Sequence, residues 1–139
     1  MNAFHYAFKV KDIKSTREFY IGILGCQEGR STVHWIDFDF FGHQLSAHIS
    51  KKIPPLDYCG KVDGVLVPIP HFGCILTMEA FQNIQVKLEQ SKVDFIVEPQ
   101  VRYEGKPSEQ WTMFILDFSN NPIEFKAFKN PNEVFAGFP

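Results

Sequence analysis

The chain lacks any run approaching the roughly 18 consecutive apolar residues of a spanning helix. Its N-terminal stretch MNAFHYAFKV is interrupted by Lys9, so it reads as the start of a first strand and not as a signal peptide. It also lacks an excess of either charge. A formal net charge of −2 leaves no basic footprint, which excludes nucleic acid and anionic membrane as partners. Cysteine is scarce: Cys26, Cys59 and Cys74 are scattered and odd in number, with neither a C-x-x-C spacing nor a disulfide framework. That usage predicts reduced thiols and a cytoplasmic location.

What is present suits one ordinary globular domain. The length is 139 residues, with 45% apolar and 22% charged residues, enough for a substantial core. The one unusual feature is 15 Phe, residues that fill cores and also line pockets for flat or apolar ligands.

The chain is written twice. Phe4 to Val10 alternates as a strand. Asp12 or Ser15 caps a following helix, and Ser15-Thr16-Arg17-Glu18 fits a capping box. Ile13, Phe19, Tyr20, Ile23 and Leu24 form its apolar stripe, and Gly25 stands where a C-cap belongs. Strands over 32–38 and 44–49 follow, joined around Gly42. The same order recurs from His71: a strand over 71–76, Thr77 as N-cap, a helix with Phe81, Ile84 and Leu88 buried, then strands over 95–97, 112–116 and 123–128. Between the halves, Lys51 to Pro70 is rich in Pro and Gly and reads as a linker. The expected architecture is one α+β domain over 1–139: a first module over about 1–52, a linker over about 53–69, a second module over about 70–130 and a tail over 131–139.

Strand alternation decides which side chains share a face. His5, Ala7 and Lys9 oppose the core-facing set in the first strand. Gln44, Ser46 and His48 oppose Leu45, Ala47 and Ile49, and Glu124 and Lys126 oppose Ile123, Phe125 and Ala127. Asp37 to Gln44 and Asp117 to Glu124 are both seven residues, which pairs Gln44 with Glu124 just as His5 pairs with His71. Two imidazoles and a carboxylate are the ligand set of facial-triad Fe(II) sites and also suit Mn2+, Ni2+ or Zn2+. An amide oxygen serves as a weaker fourth ligand. The expected metal positions are therefore His5, Gln44, His71 and Glu124, with Fe2+ favoured.

At these residues the sequence resembles the vicinal oxygen chelate superfamily, which includes glyoxalase I, fosfomycin- and bleomycin-resistance proteins and extradiol dioxygenases. The carrying segments are FHYAFKVKDIKSTREFYIGILGC and DFSNNPIEF, and the likeness runs over about residues 3–130. WIDFDFFGHQLSAH, VPIPHFG and EGKPSEQWTMF resemble a subgroup described as predicted dioxygenases. The resemblance implies two βαβββ modules forming a cup-shaped mixed sheet, the glyoxalase/bleomycin resistance/dihydroxybiphenyl dioxygenase fold. It implies a divalent metal holding two neighbouring oxygens of a small-molecule substrate, a homodimer, and His5, His71 and Glu124 as ligands, with Gln44 at the fourth position of glyoxalase-type members. His48 takes the place of the nonligand catalytic His of extradiol enzymes. Phe114 lies near the position of their second-module Tyr, a departure from that pattern.

Arg102 is a candidate for a substrate carboxylate and Phe114 for the substrate body, while Glu109 and Gln110 stand in a loop suited to close over the cup or to fix itself. His34 and His43 read as structural or exposed. The favoured function is an extradiol-dioxygenase-like metalloenzyme. The alternatives are a glyoxalase-type lyase or isomerase, in which Glu124 or Gln44 acts as base, and a metal-free binding protein of the bleomycin-resistance kind.

Overall fold

A computed structural model describes residues 2–138. The chain divides into two compact units: residues up to Pro55 together with Asp117–Asn121, and Leu56–Leu116 together with residues from Pro122 onward. Each carries one βαβββ module, so the architecture is α+β with mixed sheets, as the repeated order of elements predicts.

In the first unit, β1 (His5–Val10) leads into α1 (Ile13–Arg17). The cap is Asp12, which accepts the Ser15 amide at 2.6 Å; Ser15 and Glu18 form no capping box, because the helix has already begun. One wider turn of π type, Glu18–Ile23, continues it. It ends at Gly25, whose φ of 76° few other residues adopt without strain. β2 (Gln27–Ser31), β3 (Trp35–Phe40) and β4 (His43–Ile49) complete a sheet in the order β1-β4-β3-β2. β1 runs parallel to β4 and the other pairings are antiparallel. β2 escapes sequence reading because Gln-Glu-Gly-Arg-Ser is polar throughout and wholly exposed. Ile49 is exposed, not part of the core, since the strand ends there.

Aromatic rings fill this core. Tyr20 is fully buried, stacks on Phe38 at 5.2 Å and meets Phe19 edge-on at 4.9 Å. Its hydroxyl donates to Asp117 Oδ2 at 2.8 Å. Asp117 also accepts the amides of Ser119 and Asn121 at 2.8 Å each and the Asn121 side chain at 2.9 Å. Burial pushes the Asp117 carboxyl up, while the bonds from Asn121, Ser119 and Tyr20 act the other way.

In the second unit, the stretch read as a linker holds a hairpin, β5 (Gly60–Val62) and β6 (Val65–Val67). Its turn is Asp63-Gly64, with φ of 47° and 79°, and Asp-Gly is the strongest short-range hairpin signal. The prolines around it obscured that signal. Val67 packs against Val97 and Phe114, which seats the hairpin on its own unit. β7 (Phe72–Ile75), α2 (Met78–Glu89) capped by Thr77, β8 (Phe95–Arg102), β9 (Gln110–Leu116) and β10 (Pro122–Phe128) follow, with sheet order β7-β10-β9-β8. β8 is longer than its apolar core suggests. As an edge strand with a register shift between Val97 and Gln100, it tolerates Pro99. No described helix is long and apolar enough to cross a membrane.

The buried bond from Tyr20 to Asp117 yields a direct expectation. Tyr20→Phe should lower stability by roughly 1.5–3 kcal/mol, the scale of a hydrogen bond to a charged group, in chemical denaturation at neutral pH. Asp117's folded pKa is raised, so its contribution is complete below the unfolded value of 3.8 and is lost as pH rises through the folded value. Removing the hydroxyl raises that pKa further, so the deficit should shrink on acidification. A deficit below about 0.5 kcal/mol at neutral pH would make the bond energetically idle.

Candidate metal centre

Parallel pairing of the first and last strands of each module decides which polar groups meet. In the first unit the β1/β4 register sets His5 opposite Gln44, Ala7 opposite Ser46 and Lys9 opposite His48. His5 Nδ1 lies 2.8 Å from Gln44 Oε1. The Gln44 amide nitrogen faces Asp37 Oδ2 at 3.5 Å, so oxygen is the atom turned to His5 and Nδ1 carries the proton. That leaves the His5 Nε2 lone pair free. Ser46 is buried and donates to Asp37 Oδ1 at 2.6 Å. His48 is exposed, its ring 6.3 Å from that of Trp35.

In the second unit His71 immediately precedes β7. Its Nδ1 lies 2.7 Å from the Pro68 carbonyl, an atom that can only accept, so the proton again sits on Nδ1 and Nε2 keeps its lone pair. Nε2 is 3.3 Å from Glu124 Oε1. Glu124 is buried, and its other oxygen accepts a short bond from the Thr112 hydroxyl. Lys126 Nζ stands 3.8 Å from Oε1 and Arg102 Nη1 4.0 Å from Oε2. Burial pushes the Glu124 carboxyl up, but the bonds from His71 and Thr112 and the charges of Lys126 and His71 outweigh it, and the net direction is down. His71 is raised, chiefly by its bond to Glu124.

A close approach of two backbones makes this contact. The β7/β10 register sets Gly73 opposite Glu124, and a Cβ at Gly73 would collide with the Glu124 carbonyl. Only glycine lets β7 come near enough for His71, two residues earlier, to reach the carboxylate. The register also corrects the seven-residue alignment. Gly73 and Ala7 hold like places two residues beyond His71 and His5, so Glu124 corresponds to Ser46, not to Gln44. The counts coincide by accident: Asp37 lies within β3, whereas Asp117 lies in the longer loop after β9.

The donors suit a divalent ion. Two ligands about 2.1 Å from one ion lie about 3.0 Å apart at a right angle and about 3.4 Å at the tetrahedral angle, which brackets the 3.3 Å between Nε2 and Oε1. Backbone anchoring of the far ring nitrogen is the usual support of a ligating imidazole. Among the described residues no three His, Cys, Asp or Glu side chains are gathered as around an ion. What the structure brings together is two pairs, His5 with Gln44 and His71 with Glu124, one in each unit.

His71, Glu124, Arg102 and Phe114 all line one cavity of about 810 Å³ in the second unit, closed on other sides by the β5–β6 hairpin and by the tail around Phe138. Arg102 is buried, its guanidinium 5.8 Å from the centre of the Phe114 ring. Glu109 accepts the Gly105 amide at 2.8 Å and so fixes its loop. His43 accepts the Phe4 amide at 2.9 Å, a structural role. Sequence reading missed Thr112, Lys126, the Pro68 carbonyl and Gly73. Of these only Gly73 left a signal, a glycine inside an apolar strand.

Comparison with solved structures gives the same fold. A glyoxalase/bleomycin resistance protein/dioxygenase from Alicyclobacillus acidocaldarius is 29% identical, with 96% of each chain covered and a TM-score of 0.82. The genomically encoded fosfomycin resistance protein FosX from Listeria monocytogenes is 16% identical over 96% of this chain and 97% of that one, with a TM-score of 0.71. FosX from Mesorhizobium loti is 12% identical over 98% of each chain, TM-score 0.67. No protein-family model and no curated protein sequence matches the chain.

Two expectations follow from this geometry. Gly73→Ala should cost about 1–3 kcal/mol, as overpacking does, and separate His71 from Glu124; Gly22→Ala, where a Cβ meets nothing within 4 Å, serves as the control. Equal effects of the two changes would remove the close approach from the account. The second expectation concerns pH. His71's raised pKa means its contribution to the metal-free fold is full below 6.5 and is lost as pH rises through the folded value. Glu124's lowered pKa means its contribution is present above 4.5 and is lost as pH falls through the folded value. The pair therefore stabilises the metal-free protein most between those limits, and an ion that displaces the proton should stabilise increasingly above them. Thermal melts against pH, with and without Mn2+, check this, and in His71→Gln both dependences should flatten.

Proposed function

We propose that this chain, a member of the vicinal oxygen chelate superfamily by its fold, is a divalent-metal-dependent enzyme acting on a small substrate with neighbouring oxygens, in the manner of an extradiol dioxygenase. The observation that carries the reading is His71. Its tautomer is set by the Pro68 carbonyl, and its free Nε2 stands beside the Glu124 carboxylate in the wall of a cavity. His5 supplies the third donor, its Nε2 left free in the same way by Gln44. Fe2+ is favoured over Mn2+, Ni2+ and Zn2+ for a set of two imidazoles and one carboxylate.

A bound ion, held by His5, His71 and Glu124, would supply Lewis-acid chemistry toward substrate oxygens. The chain's own groups do the rest. Thr112 and Lys126 hold Glu124 ionised and oriented. Arg102 and Phe114 line the substrate cavity, and His48 moves a proton. Gln44 was expected as a fourth ligand. With its amide oxygen given to His5, it is better suited to orienting that imidazole, and this favours a three-donor set over the four-donor glyoxalase set. The glyoxalase-type reading, in which Gln44 or Glu124 acts as base, is less favoured because the Gln44 amide oxygen is engaged by His5.

Anaerobic metal analysis followed by oxygen-uptake screening against catechols tests the proposal. His5→Ala, His71→Ala and Glu124→Ala should each abolish stoichiometric metal. Gln44→Ala should weaken binding about tenfold, as loss of an orienting partner does. His48→Ala should retain metal and lose turnover by about 100-fold or more, the usual worth of a positioned acid or base. A protein that takes up no divalent metal, or a His71→Ala variant that binds it unchanged, would sink the enzyme reading and leave a small-molecule binding protein.

A further inference from the structure

The cavity of the second unit contains a cation whose hydrogen-bonding capacity is unmet. Arg102 ends β8 with 3% of its surface exposed, and it lines the cavity. A guanidinium carries five N–H donors in a planar fork. Among the described residues none accepts a hydrogen bond from its buried Nε or Nη2. Its one ionic neighbour, Glu124, is 4.0 Å away, and that carboxylate already serves His71, Thr112 and Lys126. Glu124 therefore cannot satisfy Arg102. A buried donor without an acceptor costs about 1–3 kcal/mol, and more when charged, so such a group in a native cavity calls for a ligand.

The rest of the wall says what kind. Charged residues lining the cavity are Arg102, Lys106 and Lys126 against Glu124 and Glu133, three positive to two negative, a surplus of one positive charge. Phe114, fully buried, and Phe128, Tyr103 and Phe138 supply aromatic surface. Tyr103 follows Arg102 directly with φ 55°, a left-handed conformation that costs a bulky residue roughly 1–2 kcal/mol and that is typical of residues held for a site. Its ring meets Phe138 edge-on at 6.0 Å.

We propose that the cavity binds an aromatic acid, with Arg102 pairing with the ligand's carboxylate and the ring lying among Phe114, Phe128 and Tyr103. A planar carboxylate matches the guanidinium fork with two parallel bonds. The volume of about 810 Å³ suits more than a single ring, within the usual range for small-molecule sites. The inference rests on reading this cavity as the substrate site, but not on the metal.

Isothermal titration of the full chain with 2-naphthoate and with neutral 2-naphthamide, in chelator-treated and Mn2+-loaded protein, tests it. The acid should bind about tenfold or more tightly than the amide in both forms, the worth of a charged hydrogen bond. Arg102→Met should lose that preference while still binding the amide, which also shows that the cavity is intact; Arg102→Lys should keep part of it. If Arg102→Met does not fold, Arg102→Gln, which keeps polarity and loses the charge, takes its place and should lose the preference likewise. Equal binding of acid and amide, no binding of the acid, or a preference that survives in Arg102→Met overturns the proposal. The two readings fail separately. A protein without metal that still prefers the acid defeats only the metalloenzyme, whereas one that holds metal and ignores the carboxylate defeats only this inference.

Discussion

Each module closes by laying its first strand parallel to its last, and the contacts of His5 with Gln44 and of His71 with Glu124 descend from that pairing. A parallel neighbour cannot be reached by a tight turn. Each chain half must therefore travel out through a helix and back through two antiparallel strands before β4 meets β1 and β10 meets β7. The return brings residues far apart in sequence to one edge: His5 to Gln44, and His71 to Glu124. In the second module the approach is close at Gly73, which leaves β7 no Cβ to hold it off the Glu124 carbonyl.

The two modules share this topology yet spend it differently. The first puts buried Ser46 where the second puts Glu124, and Lys126 stands where His48 stands. One half thus offers an imidazole oriented by an amide. The other offers an imidazole oriented by a backbone carbonyl, together with a carboxylate. Duplicated scaffolds with unequal side chains are suited to asymmetric chemistry, since the repeat positions groups while single substitutions give them different roles. The cavity beside Glu124 adds an arginine with donors to spare and a wall of phenylalanines.

Burial is what gives these groups their character. Glu124 lies 5% exposed and would be driven toward protonation without the hydroxyl and cations around it. Asp117 is in a similar position in the first unit, held by four donors of which Tyr20 is the only one from a distant part of the chain. Asp117 organises the backbone around it through the amides of Ser119 and Asn121, whereas Glu124 gathers side chains, because a buried carboxylate needs donors.

The α+β class, the doubled order of elements and the helix caps at Asp12 and Thr77 were legible in the residues, because periodicity and capping are local properties. So were His5, His71 and Glu124 as positions on non-core faces, since strand alternation is also local. β2 and the β5–β6 hairpin were not legible: the one is polar throughout, and the other hides an Asp-Gly turn among prolines. Register was beyond reach as well. Counting seven residues from two Asp-Phe pairs matched Gln44 to Glu124, and only the turn lengths and strand pairing showed Ser46 in that place. Nor does any local rule say that Pro68 will fix a tautomer, that Thr112 will bond Glu124, or that Arg102 will be buried with its donors unpaired. Those facts depend on which strands become neighbours, and neighbours distant in sequence are chosen by the packing of the whole unit.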